Sequence, residues 1–340
     1  MKKIKNNKKV FIIAELSANH NNNYELAVKT IESIADSGAD AVKIQTYKPE
    51  SLTLNLNTGH FSPRKEGLWK GYTPWNLYKK ASMPFEWQPK LKKIAEDLGL
   101  IFFSSPFDFE AVEFLENIEI PIYKLASLEV TDVPLIRNIA SKSKPLMIST
   151  GVAEKKDIEL ALQTCYDVGN KDVTLLKCTS QYPATIEDAN LNTIPDMKKR
   201  FGVKVGVSDH TMGSSVPVVA VSLGATVVEK HFILDRSMGG PDAAFSMEPQ
   251  EFKQMVDDVR NAEKALGQVS YEVSDKDKLR RRSLFITKDL KKGDVLTEEN
   301  VRSVRPGYGM EPKELESMLG KKVNKDVEKG TPLNENLINP

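Results

Sequence analysis

Histidine and cysteine are nearly absent from this chain, at four and two of 340 residues. Cys165 and Cys178 have neither the spacing of a zinc knuckle nor that of a redox pair, so no disulfide framework is expected and both thiols read as structural, in a reducing cytoplasm. Charge of one sign is missing too: 48 Lys and Arg against 47 Asp and Glu leave a formal net charge of +1. That balance gives no footing for nucleic acid or for an anionic membrane surface as a partner. No apolar run approaches the ~20 residues of a membrane span. The stretch Val10 to Leu16, behind a basic start, is short for a signal segment, and Glu15 interrupts it.

What is present is an ordinary globular composition, 40% hydrophobic and 28% charged, on a chain long enough for one large core and a smaller appended unit. Short β-rich runs alternate with amphipathic helical stretches, the mark of a parallel α/β architecture. The runs are Val10 to Ala14, Ala41 to Ile44, Ile101 to Phe103, Ile122 to Leu125, Leu146 to Ile148, Val173 to Leu176, Val203 to Val207 and Thr226 to Val228. Between them, stretches such as "YELAVKTIESIADSG" and "EWQPKLKKIAEDLG" carry apolar residues at three- and four-residue intervals and end in glycine. Eight such units over about 250 residues predict a (β/α)₈ TIM barrel, with a doubly wound open sheet as the alternative.

A barrel places its chemistry at the carboxyl ends of its strands. Every run ends in polar residues: Glu15; Lys43 and Gln45; Ser104 and Ser105; Lys124 and Ser127; Ser149 and Thr150; Thr179 and Ser180; Ser208, Asp209 and His210; Glu229 and His231. Two of the four histidines thus close neighbouring strands. Adjacent strands lie about 4.8 Å apart and an imidazole nitrogen sits about 2.1 Å from a bound metal, so one divalent ion can bridge His210 and His231. Mn²⁺, Co²⁺, Zn²⁺ and Mg²⁺ all remain candidates on ligand type. Lys43 and Lys124 converge on the same mouth, where burial is costly without an anion. Serine hydroxyls around them suit phosphate or carboxylate oxygens. Glu15, Glu129, Asp209, Glu229 and Asp242 supply acids on this face, and a raised pKa at Glu15 would make it an acid or base.

One connection, from Thr46 to about Pro84, is long and rich in Trp, Tyr and Pro, and reads as a lid, a binding loop or a surface insertion. Near the carboxyl end, "YEVSDKDKLRRRS" reads as a linker. Beyond it "KDLKKGDVLTEENV" from Lys288 is partly repeated as "KDVEKGTPLNENLI" from Lys325, which predicts a pseudo-symmetric β-rich unit of strand, turn and short helical element, with little core of its own. The expected organisation is a barrel over 1–268, a linker over 269–283 and the small unit over 284–340.

The ordered motifs "AELSANHNN", "AVKIQTY", "FFSSPFD", "YKLAS", "MISTGVA", "LLKCTSQYP", "GVSDHT", "VEKHF", "GGPDAAFSMEP" and "RPGYGM" make nearly the whole chain resemble the sialic acid synthase family. "GLWKG", "YKLAS" and "GGPDAAFS" are most similar to its pseudaminic acid synthase branch. Sialic acid synthases proper usually carry Gly-Ser where this chain has Ala126 and Ser127, and Asn where it has Ser180. The resemblance implies a metal-dependent barrel joined to an antifreeze-like (SAF) domain. It implies condensation of phosphoenolpyruvate with 2,4-diacetamido-2,4,6-trideoxy-L-altrose to pseudaminic acid and phosphate, by C–O cleavage. An N-acetylneuraminate or legionaminate synthase is the alternative, and a carbohydrate-binding module on a silent barrel a remoter one. By motif, Lys43, Ser105, Lys124, Ser127, Ser149, Ser180 and Ser208 would hold phosphoenolpyruvate. His210 and His231 would hold a divalent metal, Mn²⁺ first and Mg²⁺ or Co²⁺ next, and would act with Glu15 in catalysis. Glu15, Gln45, Tyr182 and Asp242 would face the sugar, joined by Arg305 from a partner subunit of a domain-swapped homodimer.

Overall fold

The structure, a computed structural model, describes residues 9–338. Eight parallel strands close into a barrel in sequence order: β1 (Phe11–Glu15), β2 (Ala41–Thr46), β3 (Ile101–Pro106), β4 (Tyr123–Leu125), β5 (Leu146–Ser149), β6 (Val173–Cys178), β7 (Lys204–Asp209) and β8 (Val227–His231). The open-sheet alternative fails because β8 pairs with β1, from Phe11 opposite Val227 to Glu15 opposite His231. Several strands run further than apolar content alone indicates. The β2–β3 ladder continues through Gln45 opposite Ser105 to Thr46 opposite Pro106, and the β6–β7 ladder through Cys178 opposite Ser208. Polar residues expected just beyond the strands are therefore held by ladder hydrogen bonds, which fixes their direction.

The connecting helices follow their sequence signals. Tyr24–Asp36 starts where the Asn23 side chain accepts from the Leu26 amide, and Phe109–Asn117 where Asp108 accepts from Ala111. Their apolar faces pack on the outside of the strands and form the main core with residues such as Ile12, Ile31, Phe102 and Phe252. Inside the barrel the side chains alternate with those of the outer face. Ile13, Ala41, Phe103, Ile122, Met147, Leu176 and Val227 form a closed apolar floor. The next inward residue on most of these strands, about 6.6 Å higher, is charged or carries a hydroxyl. The long connection holds two short helices, Pro49–Leu52 and Pro74–Ala81, which pack on each other.

The chain divides into two compact units, one ending at Gly267 and the other starting at Gln268. The stretch read as linker contains a short helix, Asp275–Lys278, and its last residue, Ser283, opens a strand. In the second unit β9 (Ser283–Ile286) pairs antiparallel with β10 (Val301–Val304). The internal repeat appears as reciprocal contacts: Leu290 and Val327 exchange backbone hydrogen bonds of 2.8 and 2.9 Å. Asp289 accepts from the Lys329 amide and Asp326 from the Lys292 amide, at 2.8 and 2.9 Å. Only the second copy carries a helical turn, Glu335–Leu337; the first has a turn in which the Asn300 side chain accepts from the Thr297 amide. Contrary to expectation the unit has a core, built on Leu284, Ile286, Leu296, Val301, Val323 and Leu333.

Candidate active site

A cavity of about 350 Å³ opens at the carboxyl ends of the strands. Its base is the ring of polar residues one step above the apolar floor. Lys43 Nζ lies 2.8 Å from Glu15 Oε2 and 3.1 Å from Glu229 Oε2, and Lys124 Nζ lies 3.2 Å from Glu229 Oε1. Ser208 Oγ donates to Glu229 Oε1 at 2.9 Å, and Gln45 Nε2 donates to Glu15 Oε1 at 2.8 Å. Register accounts for these distances, since Glu15 is opposite Lys43 and Ser208 opposite Glu229 in the ladders.

Four charges at 4% exposure or less are thus packed into the barrel. Taking such groups out of water costs several kcal/mol each, and a buried pair seldom repays it in stability. The arrangement therefore points to chemistry. The lysines, read in the sequence as partners of a bound anion, are already matched one for one by Glu15 and Glu229.

The protonation states follow. Burial opposes ionisation of Glu15, but Lys43 first and Lys124 after it outweigh that cost and hold the carboxyl well below its usual range. The raised pKa expected at Glu15 is thereby corrected: it is a carboxylate. The acid with a raised pKa is Glu129, which burial pushes up to about 7 despite Lys124, and whose Oε2 has no hydrogen-bond partner. Burial lowers the Lys124 pKa against the pull of Glu229. Burial also favours neutral Glu229, yet Lys124 and Lys43 hold it ionised.

His210 and His231 meet as expected, with ring centroids 5.2 Å apart. His210 Nδ1 lies 2.9 Å from the Thr179 carbonyl, which fixes the ring with Nε2 as the remaining nitrogen. His231 is held neutral by burial, its Nδ1 has no hydrogen-bond partner among the described residues, and its Nε2 lies 3.3 Å from Glu15 Oε2. Burial opposes protonation of His210, but Cys178 and the Thr179 carbonyl outweigh it and raise its pKa, so a metal would take the place of that proton. Two imidazoles beside a carboxylate fit a divalent metal with open positions. Among the described residues no set of three or more His, Cys, Asp or Glu side chains is arranged to hold one. Water or substrate oxygens would complete the shell.

The other expected residues fall as follows. Ser105 and Ser149 line the cavity, and their buried hydroxyls have no partner among the described residues. Ser127 Oγ accepts from the Gly151 amide at 3.0 Å. A Cβ on Gly151 would run into Ser180 Oγ, so only glycine lets Ser127 and Ser180 close over this point. Tyr182 stands against His210, centroids 4.5 Å apart, and Asp242 accepts from Ser17 Oγ at 2.5 Å. Arg305 is the exception. It belongs to the second unit, just beyond β10, and is exposed.

Two features escaped the sequence reading of site residues. Glu229 was seen only as one acid among several. Lys230 is the second, and with it the expectation for Asp209 is corrected: this acid, read as part of the catalytic face, does not line the cavity but pairs with buried Lys230 at 2.7 Å, and Lys230 Nζ also donates to the carbonyls of Thr211 at 2.5 Å and Gly213 at 3.3 Å. They clamp the loop that carries His210. The alternation of inward His with outward Asp or Lys in "SDHT" and "EKHF" was the available signal. Of the readings open for the long connection, the structure favours one that brings it to the site: Leu52, Arg64, Trp69, Leu77, Tyr78 and Ala81 line the cavity.

Comparison with known proteins identifies the family. The NeuB family model matches residues 30–271 and the SAF domain model residues 281–338. The pseudaminic acid synthase of Campylobacter jejuni is 46% identical over 331 residues, 96% of each chain, and that of Helicobacter pylori 44% identical over 326 residues, 95% of this chain and 96% of the relative. The crystal structure of an N-acetylneuraminic acid synthetase from Leptospira borgpetersenii, 31% identical, superposes with a TM-score of 0.71 over 79% of this chain and 89% of that one. On these matches the chain belongs to the NeuB family, with an SAF domain following its barrel.

Proposed function

We propose that the chain condenses phosphoenolpyruvate with open-chain 2,4-diacetamido-2,4,6-trideoxy-L-altrose to give pseudaminic acid and phosphate. The observation that carries this reading is the meeting of two imidazoles, two ammonium groups and unpartnered hydroxyls in one cavity. Lys43 and Lys124, with Ser105, Ser127, Ser149, Ser180 and Ser208, hold the phosphate and carboxylate oxygens in a preorganised field. His210 and His231 would hold a divalent metal, Mn²⁺ first, which when bound would supply the positive charge that the paired lysines lack and Lewis-acid activation of the sugar aldehyde. C3 of phosphoenolpyruvate bonds to the aldehyde carbon as the carbonyl π pair moves to its oxygen, which takes up the proton that water releases on adding at C2. The C2–O bond to phosphate then breaks as the C2 hydroxyl gives its proton to the departing phosphate and becomes the ketone. Glu15, ionised, relays the proton of that water; Gln45, Tyr182 and Asp242 position the sugar.

The reading extends to the assembly and its setting. Arg305 reaches the sugar from the partner subunit of a domain-swapped homodimer, which its exposure on the second unit supports. A cytoplasmic setting is supported by two cysteines that are buried and unpaired. The test is phosphate release from phosphoenolpyruvate over a panel of amino sugars, with and without chelator and added Mn²⁺. Release greatest with the trideoxy-altrose and lost on chelation is the expected result. Preference for N-acetylmannosamine or for the legionaminate precursor would move the chain to a sister activity, and no release with any sugar would refute a synthase.

A further inference from the structure

The cavity is built in layers, and the outermost differs from the charged ring beneath it. Lys43, Gln45 and Tyr47 follow one another at two-residue steps up the β2 side, and Phe103, Ser105 and Phe107 up the β3 side. Above the ring, Tyr47 and Phe107 stand edge to face with centroids 5.2 Å apart. The long connection adds Leu52 and Leu77 from its two packed helices. It adds Trp69 as well, whose indole N–H donates to the Pro241 carbonyl at 2.7 Å and whose ring lies 5.7 Å from that of Tyr182. Because that N–H is already used, Leu52, Leu77 and the Trp69 ring offer no hydrogen bond to anything lying against them.

The direction of the sugar follows from the layers. Its aldehyde carbon must reach the charged ring, where phosphoenolpyruvate is held. Five C–C bonds of about 1.5 Å carry the far carbon roughly 6 Å away, close to the rise of two strand residues, ~6.6 Å. C6 is thus delivered one layer up, to the level of the apolar wall.

We infer that Leu52, Trp69 and Leu77 determine sugar specificity by receiving the C6 methyl of a 6-deoxy sugar and disfavouring a hydroxyl there. The inference rests on the synthase reading above. A hydroxyl against these three side chains would lose its water without gaining a partner from them, the polar groups that the long connection adds to the cavity being Tyr78 and Arg64, whose guanidinium stands 5.0 Å from the Trp69 ring centroid. An apolar pocket rejects an added hydroxyl by on the order of a hundredfold.

The test compares kcat/KM of the full chain, supplied with Mn²⁺, for the 6-deoxy sugar and for the same sugar carrying a C6 hydroxyl. Wild type should favour the deoxy sugar by roughly a hundredfold. Leu77→Asn and Trp69→Ala should each narrow that ratio by about tenfold or more, with the KM for phosphoenolpyruvate changed by less than about twofold. Trp69→Phe, which keeps an apolar ring and loses the bond to Pro241, should retain the ratio. Equal loss on both sugars in Leu77→Asn and Trp69→Ala would overturn the inference and leave the synthase reading intact. Absence of phosphate release from wild type with either sugar would overturn both.

Discussion

The floor of the barrel and the ring above it are made by the same strands, two residues apart, and have opposite chemistry. Ile13, Phe103, Met147 and Leu176 close the floor with apolar side chains. One step on, Glu15, Ser105 and Ser149 project into the cavity from β1, β3 and β5. A strand advances about 6.6 Å over those two residues, enough to pass from a dry core to a site that binds anions. The floor repays its burial in stability; the ring does not. Stability and reactivity are therefore separated along each strand, and substitutions in the two layers should fail differently.

The largest effect should come from the ring. Lys43→Met strands Glu15 and Glu229 without their shared cation, and is expected to lower phosphate release by about a thousandfold or more and to destabilise by roughly 3–5 kcal/mol. Kinetics and denaturant titration on one preparation check both. In the floor, Leu176→Ala should cost a comparable 2–5 kcal/mol or so yet leave the KM for phosphoenolpyruvate within about twofold of wild type. A large rise in that KM would show that the two layers are not separable.

Lys230→Met sharpens the comparison by acting from behind the ring. The loop carrying His210 loses its clamp, and Mn²⁺ affinity should fall about 10- to 100-fold, read by an electron paramagnetic resonance titration, with a smaller change in the KM for phosphoenolpyruvate.

The smallest effect expected is one of pH. Glu129 has a folded-state pKa of about 7 against an ordinary 4.5, so the native state holds its proton more tightly than the unfolded chain. Its contribution to stability is then fully present below about pH 4.5 and is lost as pH rises through about 7. Glu129→Gln, which mimics the protonated form, should raise the midpoint of thermal unfolding at pH 8, by roughly 1–3 kcal/mol of stability, and leave it nearly unchanged at pH 5. An equal shift at both values would remove the carboxyl as the cause.

The parts of this design that repeat along the chain were legible in the sequence. Short β-rich runs between amphipathic helical stretches placed the eight strands, and polar residues at their ends marked Lys43, Lys124, His210 and His231, because the direction of a parallel strand fixes which end is the mouth. What depends on neighbours across the barrel was not legible. Glu15 is ionised because register sets it opposite Lys43, while Glu129, on the turn after β4, is left among buried groups without a cation close enough to hold its charge. The sequence lists both as glutamates on one face. Gly151 reads as part of a turn, and only the approach of Ser127 and Ser180 shows why a side chain is excluded there. The long connection has no period to follow, so its part in the cavity depended on Trp69 reaching Pro241.

The central claim is that the imidazole pair and the ammonium pair work on one substrate in one pocket. Mn²⁺ binding measured by electron paramagnetic resonance, with and without phosphoenolpyruvate, tests it on wild type and on His231→Asn. A single Mn²⁺ site that tightens when phosphoenolpyruvate is added, and that is lost in His231→Asn together with phosphate release, is the predicted result. Mn²⁺ binding indifferent to phosphoenolpyruvate, or phosphate release that survives both chelation and His231→Asn, would contradict it.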